Sequence, residues 1–239
     1  MFEQVSRAEE IHALQERIRG MQRTRLDIRT LPTSAAVAEL LPQGALAAGE
    51  SYAVDGSTAL ALELLREPSA SGAWVAIVGM PDLGVEAAAA AGIDLDRLVL
   101  VPHPGDQWFA IVSALADAVA VVLVQPPSRA RVGEAAASRL AARLRQRDAV
   151  LVSMAGWPRA HARLSVTESD WAGLGAGFGH LRARQVTVAS SSPAWQGRTR
   201  SRRLWLPDAT GAVAPVVSRV AGEVEDEVLA PLRSLGRGA

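Results

Sequence analysis

The sequence contains neither cysteine nor lysine. Without cysteine the chain cannot form a disulfide, a thiolate metal site or a cysteine nucleophile, and this absence fits a reducing cytoplasm. Without lysine, no side-chain ammonium group is available to hold a nucleotide phosphate, and arginine is not an equivalent replacement at such a site. All 25 basic residues are therefore arginine, a bias that a GC-rich genome would produce.

Long apolar runs and an excess of one charge are also missing. The longest apolar stretch lies around Val119–Val124 and is too short to span a bilayer. Met1 leads into a charged segment, so we expect no signal peptide. The 25 basic residues balance 25 acidic ones, which gives no general attraction to nucleic acid or to a membrane. Hydrophobic residues make up 49% of the 239, which predicts a folded cytoplasmic domain with extensions.

Changes in composition divide the chain into three parts. These are an N-terminal helical segment with a linker, a central domain and a C-terminal helical tail, at residues 1–48, 49–210 and 211–239. Apolar residues at helical spacing predict a charged helix over 3–29, and Pro32 and Pro42 mark the linker or short-helix region after it. The tail contains a predicted helix over 217–235.

The central domain alternates apolar runs with alanine-rich stretches. Five runs predict strands, at Ser51–Val54, Ala73–Val78, Leu98–Val101, Val119–Val124 and Ala149–Met154. Helices are predicted between them, at Ser57–Arg66, Asp82–Ala91, Asp106–Ala118 and Val132–Arg147. Uniformly apolar strands separated by helices are typical of a parallel sheet covered on both faces, so the fold class is α/β. Polar–apolar alternation later in the chain predicts antiparallel strands with one solvated face, at Ala162–Val166, Arg182–Ala189 and Arg202–Leu206.

Two segments resemble the RecA recombinase family. Ser51–Leu65 is similar to that family's first strand, phosphate loop and first helix, and Gly92–Val101 to its link from the second core helix to the third strand. The C-terminal half also resembles the ImuA-type accessory proteins of the bacterial mutagenic repair cassette, at Trp171–Gly175, Gly179–Val188 and Leu204–Pro207. The resemblance implies a RecA-like core with a mostly parallel sheet flanked by helices, antiparallel C-terminal strands and an N-terminal helix.

The phosphate loop of this chain is degenerate. A working loop reads G-x-x-x-x-G-K-[ST], in which backbone amides and the lysine hold the phosphates. Gly56 and Thr58 match the last glycine and the magnesium-ligating hydroxyl, but Ser57 replaces the lysine and Asp55 would repel phosphate. Charge-assisted hydrogen bonds contribute about 1.5–3 kcal/mol each, so losing two or three removes several decades of affinity.

Two other positions of the RecA-like ATPases are also changed. Pro81 stands nearest the position at which those ATPases have a catalytic glutamate. The next residue, Asp82, is more simply interpreted as the cap of the next helix. Gln125 follows the strand that should end in a magnesium-binding aspartate. We therefore predict a pseudo-ATPase with no cofactor, no metal ion and no catalytic residue. The side chains that we expect to fill the lost nucleotide pocket are those of Tyr52, Val54 and Asp55.

The histidines and serines carry no recognisable catalytic pattern. No histidine has a second histidine or an acid at metal-ligand spacing, and no G-x-S-x-G motif surrounds a serine. His103 is the one histidine that we retain as a candidate, because it follows a strand at the end where the superfamily binds nucleotide.

Residues 157–205 concentrate tryptophan and arginine. They include four of the six tryptophans and eight arginines, against Glu168 and Asp170. This composition suits a platform for single-stranded nucleic acid, a protein contact, or a solvated sheet edge with core tryptophans. The candidate residues for a DNA or protein contact are Trp195, Arg198, Arg200, Arg202 and Arg203.

The predicted tail helix carries an apolar stripe beside a cluster of acids. The stripe consists of Val217, Val220, Val224, Val228 and Leu232. Such a stripe either packs on the body of the domain or docks a partner protein.

Three hypotheses of function follow. The first is a non-catalytic adaptor, for which the ImuA resemblance implies a role in SOS-induced translesion synthesis. Its implied partner is a Y-family polymerase-like adaptor of the ImuB type, which links it to the sliding clamp and an error-prone polymerase in a mutasome. RecA relatives also self-associate, so a homo-oligomer is possible, and direct DNA contact stays open. The alternatives are a recombinase-like protein that binds ATP or DNA, and an inhibitor of cell division of the SulA type.

Overall fold

A computed structural model describes residues 29–175, 178–208 and 210–216. Its strands are β1 (Thr30–Leu31), β2 (Leu46–Ala47), β3 (Ser51–Asp55), β4 (Val75–Val78), β5 (Leu98–Val101), β6 (Val121–Val124), β7 (Val150–Ser153), β8 (Ala162–Gly175), β9 (Phe178–Ser191), β10 (Thr199–Trp205) and β11 (Ala214–Pro215). Its α-helices are α1 (Ala35–Ala38), α2 (Thr58–Ala70), α3 (Val85–Ala90), α4 (Trp108–Leu115) and α5 (Glu134–Arg147).

Nine strands form one mixed sheet in the order β11-β10-β9-β8-β3-β7-β6-β4-β5. The pairs from β8 across to β5 are all parallel, whereas β9 runs antiparallel to both β8 and β10. The predicted α/β class, with a mostly parallel sheet and antiparallel C-terminal strands, is confirmed. The strands β1 and β2 form a separate antiparallel pair.

Helices cover both faces of the parallel strands because successive strand residues point to opposite sides. On one face, Tyr52 and Val54 of β3 pack in a cluster with α1, α2 and α3. On the other face, Ala53 packs in a second cluster with α4 and α5. Every residue of β4, β6 and β7 is buried, which explains why these strands read as unbroken apolar runs.

The main differences from the sequence prediction lie at element ends. The helix predicted from Asp82 begins at Val85, and Gly84 is its N-cap, so the prediction that Asp82 caps it is wrong. The hairpin strands β8 and β9 each extend to 14 residues, well beyond the predicted segments. Their cross-strand pairing continues past the apolar core, and composition alone did not signal it.

The segment after residue 28 is packed against the sheet. The side chains of Val37, Leu40, Leu41 and Leu46 are at most 1% exposed and join the cluster around α2. Within the described ranges, no helix is both long and apolar enough to cross a membrane. The predicted stripe of the tail, which is Val217, Val220, Val224, Val228 and Leu232, lies outside the described residues, as does the predicted helix from residue 3 to residue 28.

Candidate functional site: the turn after β3 and the C-terminal hairpin

The turn between β3 and α2 contains the residues that the sequence predicts to form a degenerate phosphate loop. Gly56 has φ 79°, a left-handed conformation that glycine adopts without steric cost. Ser57 is extended and caps α2, since its Oγ accepts a hydrogen bond from the Leu60 amide at 3.2 Å. Thr58 then begins the helix and is exposed. The serine that replaces the lysine therefore satisfies one of the helix's own free amides.

Asp55 ends β3 and is paired with an arginine of the adjacent strand. Its Oδ2 lies 3.0 Å from Nη1 of Arg163 on β8. The same guanidinium passes close to Gly156, where an added Cβ would lie 3.0 Å from Nη2. The carboxylate and the guanidinium together take up space at the carboxyl end of β3, where a phosphate loop would present its amides to phosphate.

Of the three residues that we expected to fill a lost nucleotide pocket, only Asp55 lies at the end of β3, next to the turn. Tyr52 points away from the turn, and its hydroxyl accepts a hydrogen bond from the Ala47 amide at 2.8 Å. Burial raises the pKa of this hydroxyl above its usual range. Val54 belongs to the general core. Asp55 lies at the end of β3 together with Arg163. The sequence did not indicate that Arg163 would lie at this position.

The other positions that the sequence analysis compared with ATPase residues line a shallow depression at the ends of β4, β5 and β6. Its volume is about 520 Å³, and Pro81, His103 and Gln125 line it. Gln125 directly follows β6, and its amide donates to the Val78 carbonyl at 2.9 Å. His103 is exposed, between two prolines. Across the described residues of the chain, no three histidine or acidic side chains are placed to hold a metal ion.

An exposed tryptophan–arginine pair lies along the hairpin. Trp171 of β8 stands opposite Arg184 of β9 in the ladder, and the guanidinium carbon lies 5.6 Å from the ring centroid. The Arg184 Nε donates to Ser169 Oγ at 2.8 Å, which fixes the guanidinium beside the ring. Trp171 is 51% exposed, which a core tryptophan would not be. Cross-strand register creates this pair, and sequence spacing did not indicate it.

A second pair forms where the chain turns from β9 into β10. The Arg200 guanidinium carbon lies 4.3 Å from the centroid of the Trp195 ring. The Arg200 Nη1 also donates to the Glu39 carbonyl at 3.1 Å. Arg202 forms an ion pair with the Glu39 carboxylate. These contacts tie the hairpin to the end of α1, so some of the arginines in this block serve the packing of this chain.

The five residues proposed as a contact surface do not share one face. The alternation along β10 places Arg200 and Arg202 toward Glu39, whereas Arg203 points to the other face, 3.9 Å from Glu168. Arg198 is exposed in the turn before β10. Of the tryptophans in this region, Trp157 is a core residue at 5% exposure. The structure thus brings Trp195 and Arg200 into contact and places Arg202 on the same side of β10, while Arg203 lies on the opposite face and Arg198 in the turn.

His161 lies at the junction between β7 and β8. Its Nε2 is 2.8 Å from Gln43 Oε1, and its ring meets the Tyr52 ring edge-on at 5.7 Å between centroids. Burial lowers the pKa of the imidazole, and Glu50, 3.7 Å from Nδ1, partly opposes that shift.

A known protein family matches the segment of the chain that contains the strands β3 to β7 and the turn after β3. A model of the MT3502 N-terminal domain family matches residues 39–159, just over half of the chain. The chain belongs to the MT3502 N-terminal domain family. The match runs from the end of α1 past β7, and it therefore includes the turn after β3 but stops before the hairpin.

A mycobacterial relative extends this finding. The chain is 33% identical to the uncharacterized protein Rv3395c of Mycobacterium tuberculosis over 138 residues. The alignment covers 57% of this chain and 61% of the relative, so it spans less than two thirds of that protein.

Proposed function

We propose that this protein is a non-catalytic RecA-like adaptor of the ImuA type, acting in the cytoplasm during DNA-damage tolerance. Its partner is a Y-family polymerase-like adaptor of the ImuB type, which connects it to the sliding clamp and an error-prone polymerase. The mostly parallel α/β sheet and the similarity to a mycobacterial protein support the proposal at the level of fold and lineage.

The observation that carries the proposal is the turn after β3. Its Ser57 caps α2 and its Asp55 pairs with Arg163, so groups that would face a nucleotide phosphate are engaged within the protein. A phosphate entering this turn would meet a carboxylate, and no lysine exists to compensate. A domain of this fold without nucleotide chemistry acts through its surfaces, which is the role of an adaptor.

The decisive experiment measures the affinity of the full chain and of a shortened chain for the Y-family-like partner. The shortened chain ends after Val216, because Ala214 and Pro215 pair with β10 and belong to the sheet. We expect tight binding by the full chain and a loss of at least about tenfold in affinity on shortening, equal to about 1.4 kcal/mol. Unchanged affinity would move the contact to the predicted N-terminal helix or to the hairpin, and no binding by either chain would reject the partner.

Calorimetry with Mg-ATP separates the adaptor from an ATP-dependent enzyme. We expect no saturable heat of binding at millimolar nucleotide, because Asp55 and Arg163 remain paired. Saturable binding would overturn the pseudo-ATPase proposal and favour a recombinase-like activity instead.

The two tryptophan–arginine pairs favour a second candidate function, which is contact with single-stranded DNA. Bases stack on exposed aromatic rings, and a neighbouring guanidinium attracts the phosphates. Fluorescence anisotropy with a labelled oligothymidylate tests this, comparing Trp171→Ala and Arg184→Gln with Arg139→Gln on the exposed side of α5. Binding that only the two hairpin substitutions weaken would support DNA contact, and equal binding by all three variants would reject it.

A further inference from the structure

A long apolar groove lies between α2 and α3. Its volume is about 790 Å³, and the loop that joins β10 to β11 closes one side. Ala59 and Leu62 of α2, Ala87 and Ala90 of α3, and Val213 of the loop contribute to its walls. The lining is mostly apolar and concave, in the size range of a pocket that buries a ligand or a helix face.

The helix α3 exposes small apolar side chains and few polar groups. The helix reads Val-Glu-Ala-Ala-Ala-Ala, and Glu86 is its single charged residue. Val85, Ala87, Ala89 and Ala90 are all exposed, although an exposed helix face normally carries charged or polar side chains. Alanine on a helix surface permits close approach of another helix.

The polar groups in the groove are already paired with each other. Glu63 is almost completely buried, accepts a hydrogen bond from Ser34 Oγ, and holds Arg66 through Nε at 3.0 Å. This bond raises the pKa of the guanidinium, which stays charged and neutralised by its neighbours. The paired groups offer little to a small charged ligand, so the groove favours an apolar occupant.

The tail of the same chain begins beside the groove. Val213 lines it, and Val217, the first residue of the predicted stripe, follows four positions later. Ala214 and Pro215 pair with β10, and the Val216 amide donates to the Arg203 carbonyl, so the stripe starts at the sheet edge, at most about 14 Å from Val213. As a helix, the stripe from Val217 to Val228 would be about 17 Å long, and α2, with 13 residues, is about 20 Å long.

We propose that the groove between α2 and α3 binds the apolar stripe of this chain's own C-terminal tail. The valines of the stripe lie against Ala87, Ala90 and Leu62, and the acidic face of the tail stays in water. Folding back makes the tail's apolar stripe unavailable until a competitor displaces it. Only the further step, that the competing protein is the Y-family-like partner, rests on the proposed function.

The absence of cysteine makes the test direct, because two introduced cysteines are the only thiols. Ala87→Cys combined with Val224→Cys places one thiol in the groove and one on the stripe. With oxidised glutathione added as the oxidant, which is reduced to two thiols, we expect a disulfide to form within a single chain at least tenfold faster than in two control pairs. The first control, Ala87→Cys with Asp226→Cys, moves the tail thiol to the opposite helix face. The second, Ala110→Cys with Val224→Cys, moves the body thiol to α4 on the other side of the sheet.

The outcomes separate the occupants of the groove. Equal rates of disulfide formation in the three pairs would overturn the proposal. Disulfides that join two chains and increase with protein concentration would also overturn it, because they place a second copy's tail in the groove. Ala90→Arg provides an independent check, since a charged side chain on the exposed groove wall should speed tryptic cleavage after Arg219 by at least tenfold. An unchanged cleavage rate would also count against the proposal. None of these measurements uses the partner protein, so their failure leaves the proposed function intact.

Discussion

The parallel strands of the sheet, from β3 to β7, and the antiparallel strands, from β8 to β10, use their side chains differently. Helices cover both faces of the central parallel strands, and Asp55 at the end of β3 is paired with Arg163. The antiparallel strands leave a face largely open, with Trp171 half exposed beside Arg184. The family match also ends before the hairpin. The comparison teaches that the segment matched by the family model contains most of the parallel sheet, while the exposed Trp171–Arg184 pair lies in the hairpin outside it.

The largest expected difference in stability is between substitutions of a buried leucine in the parallel strands and of an exposed leucine in the hairpin. Leu151 of β7 is fully buried, so Leu151→Ala should lower the free energy of unfolding by about 2–5 kcal/mol through lost burial and a cavity. Leu181 of β9 is 52% exposed, and Leu181→Ala should cost about 0.5 kcal/mol or less. Urea denaturation measures both. Equal losses would mean that the hairpin is packed as tightly as the parallel core.

A pair of glycines sharpens the same contrast. Gly79 has φ 78°, and an added Cβ would lie 2.3 Å from the Gln125 carbonyl oxygen, so Gly79→Ala should cost about 2–4 kcal/mol from strain and overpacking. Gly197, before β10, has φ 84° with no atom within 4 Å, so Gly197→Ala should cost about 1–2 kcal/mol from backbone strain alone. Thermal or urea unfolding gives both values, and a smaller loss for Gly79 would contradict the close approach.

The role of Ser57 is tested by a substitution and its rescue. Ser57→Ala removes the N-cap of α2 and should cost about 1 kcal/mol of stability. Ser57→Asp keeps a capping oxygen and should stay within about 0.5 kcal/mol of the native protein. Urea midpoints distinguish the two. If the Ser57→Ala variant is as stable as the Ser57→Asp variant, Ser57 does not act as a cap. The turn after β3 would then again be a candidate ligand site.

The smallest effect concerns pH at the junction of the two regions. Burial lowers the pKa of His161 in the folded state below its ordinary value of 6.5. The unfolded chain therefore binds the proton more readily, and stability that is complete above pH 6.5 falls as the pH drops below it. We expect His161→Gln to flatten this decline in urea midpoints measured from pH 7.5 to 5.5. His103→Gln, which changes an exposed histidine, serves as the control, and identical slopes for all three proteins would contradict the prediction.

The parallel strands were predictable because burial on both faces leaves a simple mark. The runs at 75–78 and 121–124 contain only apolar residues, and both are fully buried strands. Helix starts were less predictable, since Asp82 offers a good capping side chain while the chain uses Gly84. The preference of one side chain is small beside the packing that sets where α3 begins.

The candidate site was predictable in its chemistry but not in its geometry. The sequence predicts a turn with Asp55 and Ser57 after β3, but the pairing of Asp55 with Arg163 joins residues 108 positions apart. The neighbour of β3 in the sheet decides that contact, and no local pattern records which strand it is. The pairing of Trp171 with Arg184 depends in the same way on the register of β8 and β9.

The position of β3 has a consequence for how the molecule opens. It is the fifth of nine strands, with the antiparallel strands on one side and the rest of the parallel strands on the other. Unzipping from either edge must break four ladders before β3 becomes an edge strand, and a fifth before it is free. Its amide protons should consequently exchange with solvent only when the whole sheet comes apart. We therefore expect Asp55, the residue that ends β3, to be attached to the slowest-exchanging strand of the described sheet.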